Sequence, residues 1–176
     1  QAAALTNHTS SIMGLAFSPD GRLLASSGPD KTIKLWDVVS WRLVNDLTNH
    51  TDWVNSVTFS PDSRTLASGS SDNSVKLWDV ATGHEKTNHS AHTKAVLSVL
   101  FSPDGKTLIT GSHDQNIKLW DIAKWEEITT LKGHLDEVKK LALSPDGKTL
   151  ASGSKDGELK IWSTTPKGEE ARRLNL

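Results

Sequence analysis

The chain has no cysteine among its 176 residues. That excludes a disulfide framework and any thiolate metal site. No apolar run approaches the ~18 residues of a membrane-spanning helix. Residues 1–5, QAAAL, are too few and lack the basic leader of a secretion signal. Neither sign of charge is in excess, with 20 basic against 21 acidic residues. Nucleic acid and membrane are therefore not expected as partners through bulk electrostatics, although a local basic patch is still allowed. No cofactor is implied, and the expected compartment is the cytoplasm. The length allows a real core and would usually make one domain. The chain opens on Gln1 rather than methionine, which leaves open that it is trimmed or a piece of something longer.

What is present is a repeat. KTIKLWD at residues 31–37 returns as SVKLWD at 74–79, NIKLWD at 116–121 and ELKIWS at 158–163. Trp36, Trp78, Trp120 and Trp162 stand 42 residues apart each time. Internal repetition is read before any local motif, because it decides the fold. FSPD at 17–20 returns at 59–62 and 101–104, and as LSPD at 143–146. Asp30 returns as Asp72, Asp114 and Asp156, and His8 as His50, His92 and His134.

Within a unit, short apolar runs bounded by turn residues read as buried strands. In the first unit these are residues 12–17, 23–27, 32–37 and 41–47. The same four strands follow at 54–89 and at 96–131, while 138–162 shows only three. Ser-Pro-Asp-Gly is a turn, because proline presets φ and glycine tolerates a positive φ. Ser63 replaces that glycine in the second unit, so positive φ is not expected there. His89 stands where Leu5, Leu47 and Leu131 stand in the other units, so the outer strand at 84–89 is expected to be weak. The charged tail at 167–176 reads as a frayed outer strand or as disorder.

These units resemble the WD40 repeat family, whose four-stranded propeller blade runs to roughly 40–45 residues. The resemblance implies an all-β propeller of four antiparallel blades, at about 6–47, 48–89, 90–131 and 132–176, with residues 1–5 as an outer strand from the preceding repeat phase. It also implies a buried hydrogen-bonded tetrad in each blade. The matching residues are His8, Ser26, Asp30 and Trp36; His50, Ser68, Asp72 and Trp78; His92, Thr110, Asp114 and Trp120; and His134, Ser152, Asp156 and Trp162. Their chemistry suits a closed chain: the indole N–H only donates, a hydroxyl donates and accepts, and imidazole links hydroxyl to carboxylate. Ser, His and Asp also suggest a catalytic triad. Against that, the set recurs four times at one period, includes the tryptophan, and marks no copy as special. The chain is therefore expected not to be an enzyme, with a hydrolase working in the central channel as the remote alternative.

Some family members bind proteins through the rim of one face. The positions involved lie three and five residues after the tetrad His and just before the tetrad Asp. Carried over, they are Ser11, Trp53, Ala95 and Glu137; Met13, Asn55, Leu97 and Lys139; and Pro29, Ser71, His113 and Lys155. Their chemistry is mixed and names no ligand. Trp53 stands out, since tryptophan is enriched at binding hot spots; the plainer reading is packing on a neighbouring loop. Trp41 and Trp125 begin outer strands and are expected to cover blade edges. His84, His89 and His92 form a local cluster, but zinc needs convergent ligands, so a solvated strand is preferred and no metal is expected. Asn49, Asn7 and Asn88 begin N-x-S/T patterns, and no secretion signal supports their use.

Propellers typically have 4–8 blades, and four such units leave apolar end faces to cover. Two copies closing an eight-bladed ring, with residues 1–5 donated as an outer strand beside residues 158–162 of the partner, is the preferred solution. Four blades of a longer parent is the other. The leading function is a non-catalytic scaffold for proteins or peptides. The alternative is a self-assembling fragment, or an engineered or amplified half-propeller, with no ligand of its own.

Overall fold

The structure, a computed structural model, describes residues 4–164. Among them are fifteen strands and no helix. They form four antiparallel sheets, each in sequence order from the inner strand outward. The first sheet holds β1 (Gly14–Phe17), β2 (Leu23–Ser27), β3 (Ile33–Asp37) and β4 (Leu43–Leu47). The second holds β5 (Val54–Phe59), β6 (Thr65–Ser70), β7 (Ser74–Asp79) and β8 (Glu85–Ser90). The third holds β9 (Val96–Phe101), β10 (Thr107–Ser112), β11 (Ile117–Asp121) and β12 (Glu126–Leu131). The fourth holds β13 (Val138–Leu143), β14 (Thr149–Ser154) and β15 (Leu159–Ser163). The expected tail strand at 167–176 and residues 1–3 lie outside the described residues. Ala4 and Leu5 form no strand within the chain.

Each inner hairpin is set by its Ser-Pro-Asp turn. The Ser18 hydroxyl donates to Asp20 Oδ1 at 2.6 Å, and the same oxygen accepts the Arg22 N–H at 3.1 Å. The Gly21 N–H closes the turn onto Ser18 O at 2.9 Å, with φ at 72°. The expectation for Ser63 fails: it closes the same bond at 2.9 Å with φ at 62°. The hairpin geometry imposes the left-handed conformation whatever residue stands there. Ser63 Oγ also accepts the Asp20 N–H of the adjacent sheet at 3.1 Å. Trp41 and Trp125 sit in turns at φ 54° and 56°, so their outer strands begin later than residues 41 and 125.

The core lies between sheets rather than within them. Ile33 and Leu35 of the first sheet meet Val54, Val57 and Phe59 of the second, all at 6% exposure or less. Val75 and Leu77 meet Val96 and Val99 of the third in the same way. Ile117 and Leu119 meet Val138 and Leu141 of the fourth. The two ends of the row are uncovered: Leu15 and Phe17 are 64% and 60% exposed, and Leu159 and Ile161 are 71% and 62% exposed.

The lysine of each KLW motif faces the outer strand. Lys34 and Lys76 are buried yet paired, Lys34 with Asp46 at 2.6 Å and Lys76 with Glu85 at 2.9 Å. Lys118 pairs with Glu127 at 2.8 Å. Lys160 pairs with its own neighbour Glu158 instead. The polar outer strand β8 forms at full length against β7. Its His89 is held between two tryptophans, 4.9 Å from Trp120 edge-on and 5.2 Å from Trp125 in a stack. Polarity does not shorten this strand, because the aromatic slot seats an imidazole in the place of a leucine.

Candidate functional site

One hydrogen-bonded network recurs in all four sheets. The tryptophan of the third strand points its indole N–H at the hydroxyl of Ser26, Ser68, Thr110 or Ser152 on the second strand, at 2.8–2.9 Å. The same hydroxyl lies 2.7–2.8 Å from Nε2 of His8, His50, His92 or His134. The other ring nitrogen, Nδ1, lies 2.7–3.0 Å from Asp30, Asp72, Asp114 or Asp156. The indole can only donate, so the hydroxyl accepts from it and passes its own proton toward Nε2. That puts the imidazole proton on Nδ1, where it donates to the carboxylate. The histidine comes from the loop before the inner strand, and the aspartate from the turn joining the second and third strands. The network thereby ties a loop to a strand pair.

The carboxylates gather further donors. Asp72 accepts the N–H of Thr51 at 3.0 Å and the hydroxyl of Ser74 at 2.5 Å. Burial pushes the Asp72 carboxyl up, but His50, Ser74 and the Thr51 N–H outweigh it and hold it well below the ordinary carboxylate range. Asp30, Asp114 and Asp156 are lowered by the same balance, burial opposing and the surrounding donors prevailing. Both nitrogens of every histidine in the network are engaged, and the serine or threonine hydroxyl proton is directed inward. These hydroxyls are therefore neither exposed nor free to attack a substrate.

The histidine cluster at 84–92 does not converge. His92 uses both nitrogens inside its network, His89 is held by the tryptophans, and His84 is exposed. Burial, with a smaller contribution from nearby Lys118, lowers the His89 pKa. Among the described residues the one close group of metal-type side chains is His134, Asp156 and Glu158, and its histidine is already committed to the network.

The twelve rim positions fall into three environments. Trp53 and Met13 are 50% and 44% exposed. Trp53 is held by its backbone, its carbonyl accepting the Ser71 N–H at 2.8 Å, while the ring stays open. Ser11 and His113 are exposed, and Pro29, Ser71, Ala95 and Leu97 are half-buried. Asn55 and Glu137 do not face outward. Asn55 is 6% exposed and spends both amide hydrogens, on Ser71 Oγ at 3.0 Å and Val96 O at 2.9 Å, bridging two sheets. Glu137 is 7% exposed and has three basic side chains around it: His113 at 3.0 Å, Lys155 at 3.3 Å, and Lys139. Lys139 foremost, with Lys155 and His113, lowers its pKa against the opposing effect of burial. These partners are spread along the sequence, so the cluster shows only in the folded chain.

Trp125 covers a sheet edge, its indole N–H reaching Thr87 Oγ1 of the preceding sheet at 3.2 Å. At the centre of the row, Pro19, Pro61, Pro103 and Pro145 line one groove with Phe59 and Phe101, and no acid or base lines it.

Sheets of this order, each with the same His-Ser/Thr-Asp-Trp network, define a β-propeller built of WD40-type repeats. The chain belongs to that family, and its residues 12–175 match the family described as the echinoderm microtubule-associated protein second beta-propeller. It is similar to Protein Mut11 of Chlamydomonas reinhardtii, at 48% identity over 42 residues, covering 24% of this chain and 11% of that protein. It is similar also to the WD repeat-containing protein SL1-17 of Schistosoma mansoni, at 52% identity over 40 residues, covering 23% of this chain and 13% of that protein. These alignments span about one repeat period and a small fraction of each relative.

Proposed function

We propose that this chain is a non-catalytic scaffold that binds proteins or peptides through the loops of one propeller face, in a ring completed by a second copy. The observation that carries the reading is the contrast at Trp53. Its carbonyl accepts the Ser71 N–H and its own N–H donates to Asp52 Oδ1, while half of its side chain remains open. A rigid base with an exposed aromatic is what a hot spot requires. The sixteen residues of the four networks then serve as structure, holding the loops in place. The engagement of every network hydroxyl supports a role other than catalysis. The free end faces favour the ring, and they equally suit a self-assembling fragment with no ligand.

A Trp53→Ala comparison separates the two. A purified partner captured stoichiometrically by the chain and lost with Trp53→Ala supports the scaffold. Polymerised tubulin is one defined partner to try, since the matched family's name speaks of microtubule association. Capture that is indifferent to Trp53 overturns the rim assignment.

A further inference from the structure

Two of the three interior seams follow one rule; in the first, the buried Ser27 stands at the glycine position. Gly69 of β6 lies beneath two side chains of the next sheet: a Cβ there would stand 2.6 Å from Val96 Cγ1 and 2.9 Å from Val99 Cγ1. Gly111 of β10 repeats this, at 2.9 Å from Val138 Cγ1 and 3.3 Å from Leu141 Cγ. The missing side chain is a hollow, and an aliphatic pair from the following inner strand fills it. Gly153 of β14 is the next glycine at the same period, and a Cβ there would meet nothing within 4 Å. Its hollow is empty.

The pair that would fill it is on the chain already. Ile12 and Leu15 stand one period before Val54 and Val57, which are 0% and 6% exposed. Ile12 and Leu15 themselves are 46% and 64% exposed, on the opposite end of the row. The match continues outward. Leu159 and Ile161 are uncovered beside Gly153, where Val75 and Leu77 are covered beside Gly69. Phe17, 60% exposed, stands one period before the buried Phe59. Trp41 occupies on the first sheet the turn position from which Trp125 reaches the outer strand of the sheet before it.

We infer that the two free faces are the two halves of one seam, and that Ile12 and Leu15 of one copy seat over Gly153 of another. This rests on the reading that the ring closes by self-association, and it specifies how. The contact is head-to-tail, first sheet on fourth, and not face to like face. A head-to-tail contact closes when its rotation completes a circle. Two copies then make two identical seams and leave no apolar face open. A second copy is the occupant because both surfaces of the seam, in register, are written in this one chain.

The test is light scattering on a sizing column, with the whole chain of 19.1 kDa. Wild type is expected at twice that mass. Gly153→Leu fills the hollow on one face, and Leu15→Arg puts a charge on the other. Each is expected at the mass of one chain, with dimer affinity lowered by about a hundredfold, roughly tenfold for each of the two seams. Mixed together, they join one intact seam to one that carries both substitutions, so mixing is not expected to restore the closed ring. A like-face contact predicts that one of the two variants still dimerises alone. Ile161→Lys on the fourth sheet is a second variant on the Gly153 face, and far-ultraviolet circular dichroism checks that all three keep their strands. If wild type runs as a single chain, self-association and seam both fail. If wild type is a dimer and either variant remains one, self-association stands and the head-to-tail seam is overturned.

Discussion

Replacing Thr110 by valine removes a hydroxyl from the centre of one network and almost no volume. Thr110 is fully buried, and the groups it serves, the Trp120 indole and His92, are 4% and 5% exposed. The hydroxyl accepts the indole N–H at 2.9 Å and lies 2.7 Å from His92 Nε2. Valine leaves the indole N–H and His92 Nε2 without a partner, and water cannot reach them. A buried polar group without a partner costs about 1–3 kcal/mol, so two cost about 2–6 kcal/mol if independent. They belong to one chain of bonds and share part of that cost, so the expected loss is about 3–4 kcal/mol. The cavity contribution is close to zero because the volume is kept. Ser152→Ala is the internal contrast: it removes the same hydroxyl in the fourth sheet, where Trp162 is half-buried and water can replace the partner. Its expected loss is about half that of Thr110→Val or less. Urea unfolding followed by circular dichroism, at one protein concentration, measures both. A Thr110→Val loss under about 1 kcal/mol, within the range of an ordinary surface change, would refute the reasoning. So would equal losses at the two sites, because burial is what should separate them.

Two further outcomes follow from the charges. The aspartates of the four networks have folded pKa values below the ordinary 3.8. Groups lowered in the folded state add stability that is complete above the unfolded value and is lost as pH falls through the folded one. Melting temperature is therefore expected to hold from about pH 7 to 5 and to fall below about pH 4, more gently in Asp72→Asn; a melting temperature unchanged down to pH 3 would contradict this. Glu85→Ala leaves the buried Lys76 cation unpaired, and is expected to cost about 2–3 kcal/mol, less than a fully buried pair because Glu85 is partly exposed. Lys76→Met removes the charge together with its need for a partner and is expected to cost under about 1 kcal/mol. The reverse order in urea unfolding would show that the carboxylate, rather than the cation, is the group that needs its partner.

The repeat made much of this architecture legible. Strands recur where apolar runs stand between turns, and the network residues follow from matching positions 42 residues apart. Hydrogen bonds between such positions join residues at most 22 apart in sequence, within one repeat. Other features depend on groups that meet from different repeats. Ser63 takes a positive φ because a hairpin requires it, and residue identity there gave the wrong expectation. His89 is seated by Trp120 and Trp125, which belong to the next sheet. Glu137 was placed with the exposed rim positions, yet it is buried beneath His113, Lys139 and Lys155. The lysines of the KLW motifs carry a weak signal, since Asp46 lies directly across from Lys34 in the strand pairing. Finding that partner needs the register, which the period alone does not supply.

By itself, the sequence determined the repeating unit: its strands, its turns and the four side chains that each unit joins by hydrogen bonds. Those contacts are short-range, and each unit contains all the groups they need. The tertiary structure alone decided which surfaces are covered. Leu15 and Val57 occupy the same position in successive repeats, yet one is 64% exposed and the other 6%. Nothing local separates them. Val57 has a sheet before it and Leu15 does not, and burial is a property of the neighbour rather than of the residue.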